Sequence, residues 1–184
     1  MRTAADDKIY TVEEYVQEEL MSEVRHEFVN GQLFEMAGEK DINNELAFII
    51  ATIFSRVLKA KGYTVYTHDV KISVARGEKY YYPDVFLTKE VKTDNNRYIK
   101  YEPEIIIEVV SESTHSMDYV DKYIDYTKIP SLQYYLIVEP ETILITVVEK
   151  DDNNTWTTHK YTRPDAFVKL SKLNIEFLVK HVYE

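Results

Sequence analysis

A single mixed α/β domain over residues 1–184 is the fold class this sequence predicts, and three observations predict it. Residues 104–110, EIIIEVV, are almost continuously apolar, as in a central strand covered on both faces. Leu46, Ile49, Ile50, Ile53, Phe54, Val57 and Leu58 keep the three-and-four spacing of a buried helical stripe. Asn30-Gly31 stands between two alternating apolar runs, a strong hairpin signal because both residues tolerate positive φ. A chain of 184 residues can bury a sizeable core, and its lack of Cys excludes a disulfide scaffold, a thiol nucleophile and a thiolate zinc site.

The elements follow in order. Thr11 with Glu14 three residues on makes a capping box, so a first helix should start there, with Val12, Tyr15, Val16 and Leu20 as its apolar stripe. Residues 26–29 and 32–36 should pair as strands, with Glu27 and Val29 on the face opposite Phe28. Asp41 or Asn43 can cap the long helix, whose end is marked by Lys59, Lys61 and Gly62. Residues 63–88 read as successive strands, YTVYTH, VKISV, a Tyr-rich run after a break at ARGEK, and DVFL after Pro83. The polar stretch KEVKTDNNRYIK reads as a surface connection or lid. After the apolar strand, SESTHS offers caps for a helix over 117–126, which ends before Ile129-Pro130. Leu132 to Val138 forms another buried strand, then a hairpin turns at DDNN, and IEFLVK supplies a last strand.

Charge narrows the function classes. The formal net charge is −10, with eight acids against three bases in residues 1–27. An acidic surface argues against tight nonspecific phosphate binding but is compatible with a local basic groove. No apolar run reaches the roughly 18 residues of a membrane span, and the start lacks a basic segment followed by an apolar one, so the expected location is cytoplasmic. The five His are too scattered for a zinc motif, and His68-Asp69 reads as an ordinary loop or strand pair.

Four residues stand out chemically. Glu108 interrupts a greasy strand, and a buried carboxylate costs several kcal/mol unless paired, hydrogen-bonded or metal-bound. Asp84 starts a strand after Pro83, Glu27 lies in the hairpin, and two oxygen ligands from neighbouring strands are a usual way to hold Mg²⁺ or Mn²⁺. Asp118 and Lys122 share a helix face, so Lys122 can bring an ammonium to that site. The plainer alternatives are an exposed i,i+4 pair for Lys122, a turn cap for Asp84, a core salt bridge for Glu108 and an edge carboxylate for Glu27. Many of the 16 Tyr fall in strand-like stretches, where they read as packing or a homodimer face. The YYY run beside Pro83 is the place where exposed rings would contact DNA or a second copy.

HEFVNGQLFEMAG, YYPDVFLT, and EIIIEVVSEST followed by MDYVDKYIDYTKIPSLQYYLIVEP together resemble the Uma-type family of restriction-endonuclease-like PD-(D/E)xK proteins, over about residues 10–150. The resemblance implies a central mixed β-sheet flanked by helices, with an N-terminal helix and hairpin. It implies a metal-dependent endonuclease acting on DNA in which Asp84 and Glu108 hold Mg²⁺, or Mn²⁺ in its place. Glu27 would be an additional or water-mediated ligand, and Lys122 would orient water or stabilise the transition state. Val110 stands where the broader superfamily has Lys, and Lys122 matches the place on the next helix to which that Lys has moved. Asp118 matches the helix Asp, and Tyr126 a recurrent aromatic that packs or orients. Two departures are Asn43, where many relatives carry His, and Glu139, where Asp is usual. They keep open a silent structural or nucleic-acid-recognition protein of the same fold. An acid hydrolase built on paired carboxylates is a third reading, and it fits the metal-plus-Lys order less well.

Overall fold

The computed structural model describes residues 4–36, 38, 40–93, 97–110 and 117–184, and the side chains of Arg76 and of residues 117–119 lie outside that description. In chain order the elements are α1 (Val12–Met21), β1 (His26–Val29), β2 (Gln32–Glu35), α2 (Asp41–Leu58), β3 (Thr64–Thr67), β4 (Lys71–Val74), β5 (Lys79–Tyr81), β6 (Val85–Thr88), β7 (Ile99–Lys100), β8 (Ile105–Val109), α3 (Met117–Tyr126), β9 (Tyr134–Val138), β10 (Ile145–Lys150), β11 (Trp156–Tyr161), β12 (Phe167–Leu170), β13 (Ile175–Leu178) and α4 (Lys180–Tyr183).

A six-stranded sheet, ordered β11-β10-β9-β8-β6-β3, carries the most apolar strands at its centre. It is mixed, because β8 and β9 run parallel while its other neighbours are antiparallel. Strand alternation then sorts its side chains. Val85, Leu87, Ile105, Ile107 and Val109 face Leu46, Ala47, Ile50, Phe54 and Leu58 of α2, together with the β12–β13 hairpin and α4. Phe86, Ile106, Tyr135 and Ile137 face the other way, onto Tyr126 of α3, Ile129, Leu132, and Ile72, Val74 and Tyr81 of a second sheet. That second sheet is ordered β2-β1-β5-β4-β7 and is capped by Tyr15 of α1, which packs with Phe28, Leu33 and Tyr80. β8 is buried along its whole length, as its composition requires.

Local chemistry explains the ends. Thr11 and Glu14 form the reciprocal capping box. Asn30 and Gly31 both take positive φ, at 52° and 88°, in the tight turn between β1 and β2. Gly62, at φ 85°, ends the turn that follows α2.

Several expectations are corrected. Neither Asp41 nor Asn43 caps α2; Lys40 is its N-cap and makes no side-chain bond there. Leu20 and Val57 project into solvent, because their flanks of α1 and α2 have no layer above them. Residues 99–100, expected within the surface connection, form β7, a short strand parallel to β4. The Tyr80–Tyr82 run is buried against Tyr15, Phe28 and Tyr126, so it offers neither a DNA surface nor a dimer face. The SESTHS caps lie outside the described residues.

Candidate functional site

The inter-sheet face of the six-stranded sheet holds the candidate site. β6 and β8 pair so that Val85 opposes Ile107, and continuing that register puts Asp84 opposite Glu108. The contacts agree. The Asp84 amide donates to Glu108 Oε2 at 3.5 Å, and the Val109 amide donates to Asp84 Oδ2 at 2.7 Å. Two carboxylates are thereby fixed side by side on rigid strand ends, at 5% and 4% exposure.

Glu27 and Lys122 close in from the facing elements. Lys122 of α3 reaches Glu27 Oε1 at 2.9 Å and Glu108 Oε1 at 3.7 Å, so one ammonium lies between carboxylates of two different sheets. Tyr126, one turn further along α3, donates its hydroxyl to Glu108 Oε1 at 2.8 Å. Its expected packing role is therefore joined by a direct orienting bond. Lys122 also sits 5.7 Å from the Tyr81 ring centre. The Tyr81 hydroxyl donates to Asp125, which in turn pairs with Lys79 at 2.6 Å. Asp125 thus ties α3 to β5.

Burial pushes the Glu108 carboxyl above the ordinary range. Lys122 and the Tyr126 hydroxyl oppose that shift, while Glu27 adds to it. A cation bound here would favour the ionised form of Glu108, as Lys122 already does.

Contacts link all four expected residues in a row, Glu27 to Lys122, Lys122 to Glu108 and Glu108 to Asp84. The side chain of Asp118 lies outside the described residues. Asn43, at the start of α2, donates to the Val109 carbonyl at 3.3 Å, which ties the helix to the strand end that carries the acids. Glu139 is buried just after β9. Sequence reasoning missed His68. The β3–β6 register carries on to place it opposite Asp84, and its Nδ1 lies 3.8 Å from Asp84 Oδ1, on a residue with φ 43°. The HD pair was visible in the sequence, but the cross-strand alignment that gives it meaning was not.

Asp84 and Glu108 suit a hard divalent ion, which takes one or two carboxylates and keeps several waters. Both acids are desolvated and adjacent, and Lys122 is the one cation seen pairing with Glu108 among the described residues. No three His, Asp or Glu of the described residues converge as a ready-made ligand set, so any ion here would rely on water for the rest of its shell.

The match to known proteins follows this architecture. The model of the Uma2 family, described as "Putative restriction endonuclease", matches residues 12–177. Two Synechocystis proteins are similar to the chain over nearly their whole lengths. With sll1609 it shares 28% identity over 95% of this chain and 100% of that one, and with slr1290 it shares 28% over 93% and 90%. The fold resembles the crystal structure of a "putative nuclease belonging to DUF820" from Anabaena variabilis, with a TM-score of 0.76 at 15% identity over 94% of this chain and 97% of the other.

Proposed function

The chain belongs to the Uma2 family, whose restriction-endonuclease-like fold it shares, and from that premise we propose that it is a divalent-metal-dependent endonuclease hydrolysing DNA phosphodiester bonds. The observation that carries this reading is the buried cross-strand pair Asp84 and Glu108 with Lys122 at 3.7 Å from Glu108. In this reading the whole chain, 1–184, acts as one catalytic domain.

Asp84 and Glu108 would hold the ion, Mg²⁺ or Mn²⁺, which when bound supplies Lewis acidity to the phosphate and a more acidic attacking water. The chain's own residues do the rest. The Val109 amide and the Tyr126 hydroxyl hold the two carboxylates in place before any ligand arrives. Lys122 orients the attacking water and offsets negative charge as it grows on the phosphoryl oxygens. Glu27, paired with Lys122, keeps that ammonium on the Glu108 side of the site and is placed to act on the ion through water. Strand β8 and helix α3 exclude bulk water, which strengthens each of these interactions.

A second copy is the partner proposed beside DNA, and one surface supports it. β3 is an edge strand with no Lys or Pro to protect it, and beside it lies a groove lined by Phe48, Ala51, Thr52 and Ser55 of α2. A two-fold axis at Thr52 would set Glu45 against Lys59 and Phe48 against Arg56 of the other copy, a self-complementary stripe. Sedimentation over a range of concentrations should show a dimer that Phe48→Glu disperses; a monomer at high micromolar concentration would dismiss it.

The function itself is tested by incubating the purified protein with duplex, single-stranded and branched DNA and with RNA, with and without Mg²⁺ or Mn²⁺. Metal-dependent cleavage is expected. The −10 charge and the lack of a third close ligand among the described residues favour the silent alternative, a structural or nucleic-acid-recognition protein that keeps the fold without catalysis. A protein that binds no divalent ion and cuts none of these substrates would establish that alternative.

A further inference from the structure

The mouth of the inter-sheet cleft carries a second feature, at the opposite sign of charge. Among the described residues, a cavity of about 500 Å³ is lined by Tyr66, Lys92, Thr93, Arg97 and Lys100, three of them cations, on a chain whose net charge is −10. Tyr66 belongs to edge strand β3 of one sheet and Lys100 to edge strand β7 of the other, so the pocket bridges the two sheets at their open side.

The construction is specific. One face of the Tyr66 ring stacks on Phe86, at 5.1 Å between centres and 21° between planes. The Lys92 and Lys100 ammonium groups lie 5.7 and 5.5 Å from the centre of that same ring. The π face therefore gathers two like charges that would otherwise repel. Burial lowers the Lys100 pKa against the raising field of Glu90, and Lys92 lowers it further, so an anion here would relieve both costs. Glu90, the nearby acid, accepts from the backbone amides of Tyr101 and Glu102 at 2.8 and 3.2 Å.

Position links the pocket to the carboxylates. Tyr66 pairs with Phe86, two residues along β6 from Asp84, and its side chain lies on the same sheet face as Asp84 and Glu108. Two strand residues span about 7 Å, so a chain with its reacting phosphate at Asp84 would present a flanking phosphate to the pocket. The ring already stacks on Phe86 and gathers ammonium groups, which suits an oxyanion better than a base, so recognition would be independent of sequence.

We propose that Tyr66, Lys92, Arg97 and Lys100 form a backbone-phosphate subsite that holds a polynucleotide beside the Asp84–Glu108 site. The ligand class rests on the nuclease reading, and the subsite explains how so acidic a chain receives a polyanion. Lys92 and Arg97 are exposed, so removing them leaves the core untouched, whereas Lys100 is buried and is left in place.

The test is fluorescence anisotropy with a fluorescein-labelled 24-nucleotide single strand and its duplex, in EDTA so that nothing is cut, over a range of salt. The K92A/R97A variant should bind at least about 10-fold more weakly, and its log–log salt slope should be shallower by about 1.4 on the single strand, the loss of two phosphate contacts. A K160A/K169A control removes the same charge from edge strand β11 and from β12, and should bind like the wild type. Equal weakening in both double variants would reduce the effect to net charge and overturn the subsite, as would a wild type that binds neither oligonucleotide. Competition by inorganic phosphate at concentrations matching the oligonucleotide would assign the pocket to free phosphate and also overturn it. Cleavage in Mg²⁺ is scored in parallel. Binding that depends on Lys92 and Arg97 without cleavage would leave the subsite standing and remove the nuclease reading. Cleavage with binding indifferent to both residues would do the reverse.

Discussion

Two buried polar clusters sit in this protein, and they are built on opposite rules. Beneath α1, Lys71 donates to the Tyr82 hydroxyl at 3.0 Å, and Tyr82 donates to Glu19 at 2.7 Å. Glu19 also accepts from the His26 amide at 3.0 Å. Donors and acceptors match there, one carboxylate answers one ammonium, and the Tyr15 and Tyr82 rings flank the Lys71 charge. Between the sheets, Glu27 and Glu108 share Lys122, and Asp84 lies beside Glu108. Matched hydrogen bonds in the first cluster tie α1 to the sheet; the second crowds three buried carboxylates together, which costs stability and suits a cation. Removing a carboxylate should therefore have opposite consequences in the two places.

The largest effect is expected at the acidic pair. Asp84→Asn and Glu108→Gln keep size but lose the field that holds an ion, so Mg²⁺-dependent cleavage should fall at least about 1000-fold, roughly 4 kcal/mol in the barrier. Thermal unfolding should be unchanged or slightly improved, because a desolvated charge is gone. Calorimetry supplies a readout separate from activity: Mg²⁺ should raise the midpoint of the wild type and not that of Glu108→Gln. A variant that cleaves like wild type would point to contamination or to another active site.

Lys122→Ala comes next. About 100-fold in rate, near 3 kcal/mol, should be lost with its ammonium. Since Glu27 and Glu108 then face each other with less compensation, divalent ions should stabilise this variant more than they stabilise the wild type. If Mg²⁺ shifted both midpoints equally, Lys122 would not be balancing the acids.

In the balanced cluster the sign reverses. Glu19→Ala strips the partner from Tyr82 and from the His26 amide, and should cost about 2–3 kcal/mol in urea unfolding while leaving turnover unchanged. A stabilised Glu19→Ala protein would erase the contrast between the clusters.

Lys71 gives a pH signature. Burial lowers its pKa to about 8, with Glu19 opposing the shift, from an ordinary value of 10.5. Folded Lys71 thus gives up its proton before the unfolded chain does. Between pH 8 and about 10 the unfolded state binds more protons, and stability should rise with pH by about 2 kcal/mol. Above that range Tyr15 and Tyr82, pushed upward chiefly by burial, stay protonated while unfolded tyrosines ionise, so stability falls again. Lys71→Met should flatten the rise, and denaturant melts at pH 7, 8, 9 and 10 would detect a rise that persists.

The smallest effect belongs to Tyr126→Phe. It deletes the hydroxyl that donates to Glu108 and should cost about 1 kcal/mol, with a few-fold weaker Mn²⁺ affinity measured by titration calorimetry. Unaltered Mn²⁺ binding would confine Tyr126 to packing.

Much of this was legible in the residues themselves. The capping box at Thr11, the Asn30-Gly31 turn, the α2 stripe and the apolar β8 run depend on interactions within a few positions, so the chain order states them directly. Glu108 advertised itself by being charged within such a run, and the resemblance to a family assembled Glu27, Asp84 and Lys122 around it. What only the tertiary structure decided are relations across strands and between sheets. The row of His68, Asp84 and Glu108 exists because β3, β6 and β8 align in one register, and a shift of one residue would turn each side chain to the other face. Lys79 and Tyr81 find Asp125, and Lys71 and Tyr82 find Glu19, over separations of 44 to 63 positions for the Tyr81, Lys79 and Tyr82 bonds. No local pattern encodes such contacts, because they are selected by the packing of whole elements: the sequence determined which segments become strands and helices and which of them carry charge, and burial between two sheets decided which charges meet.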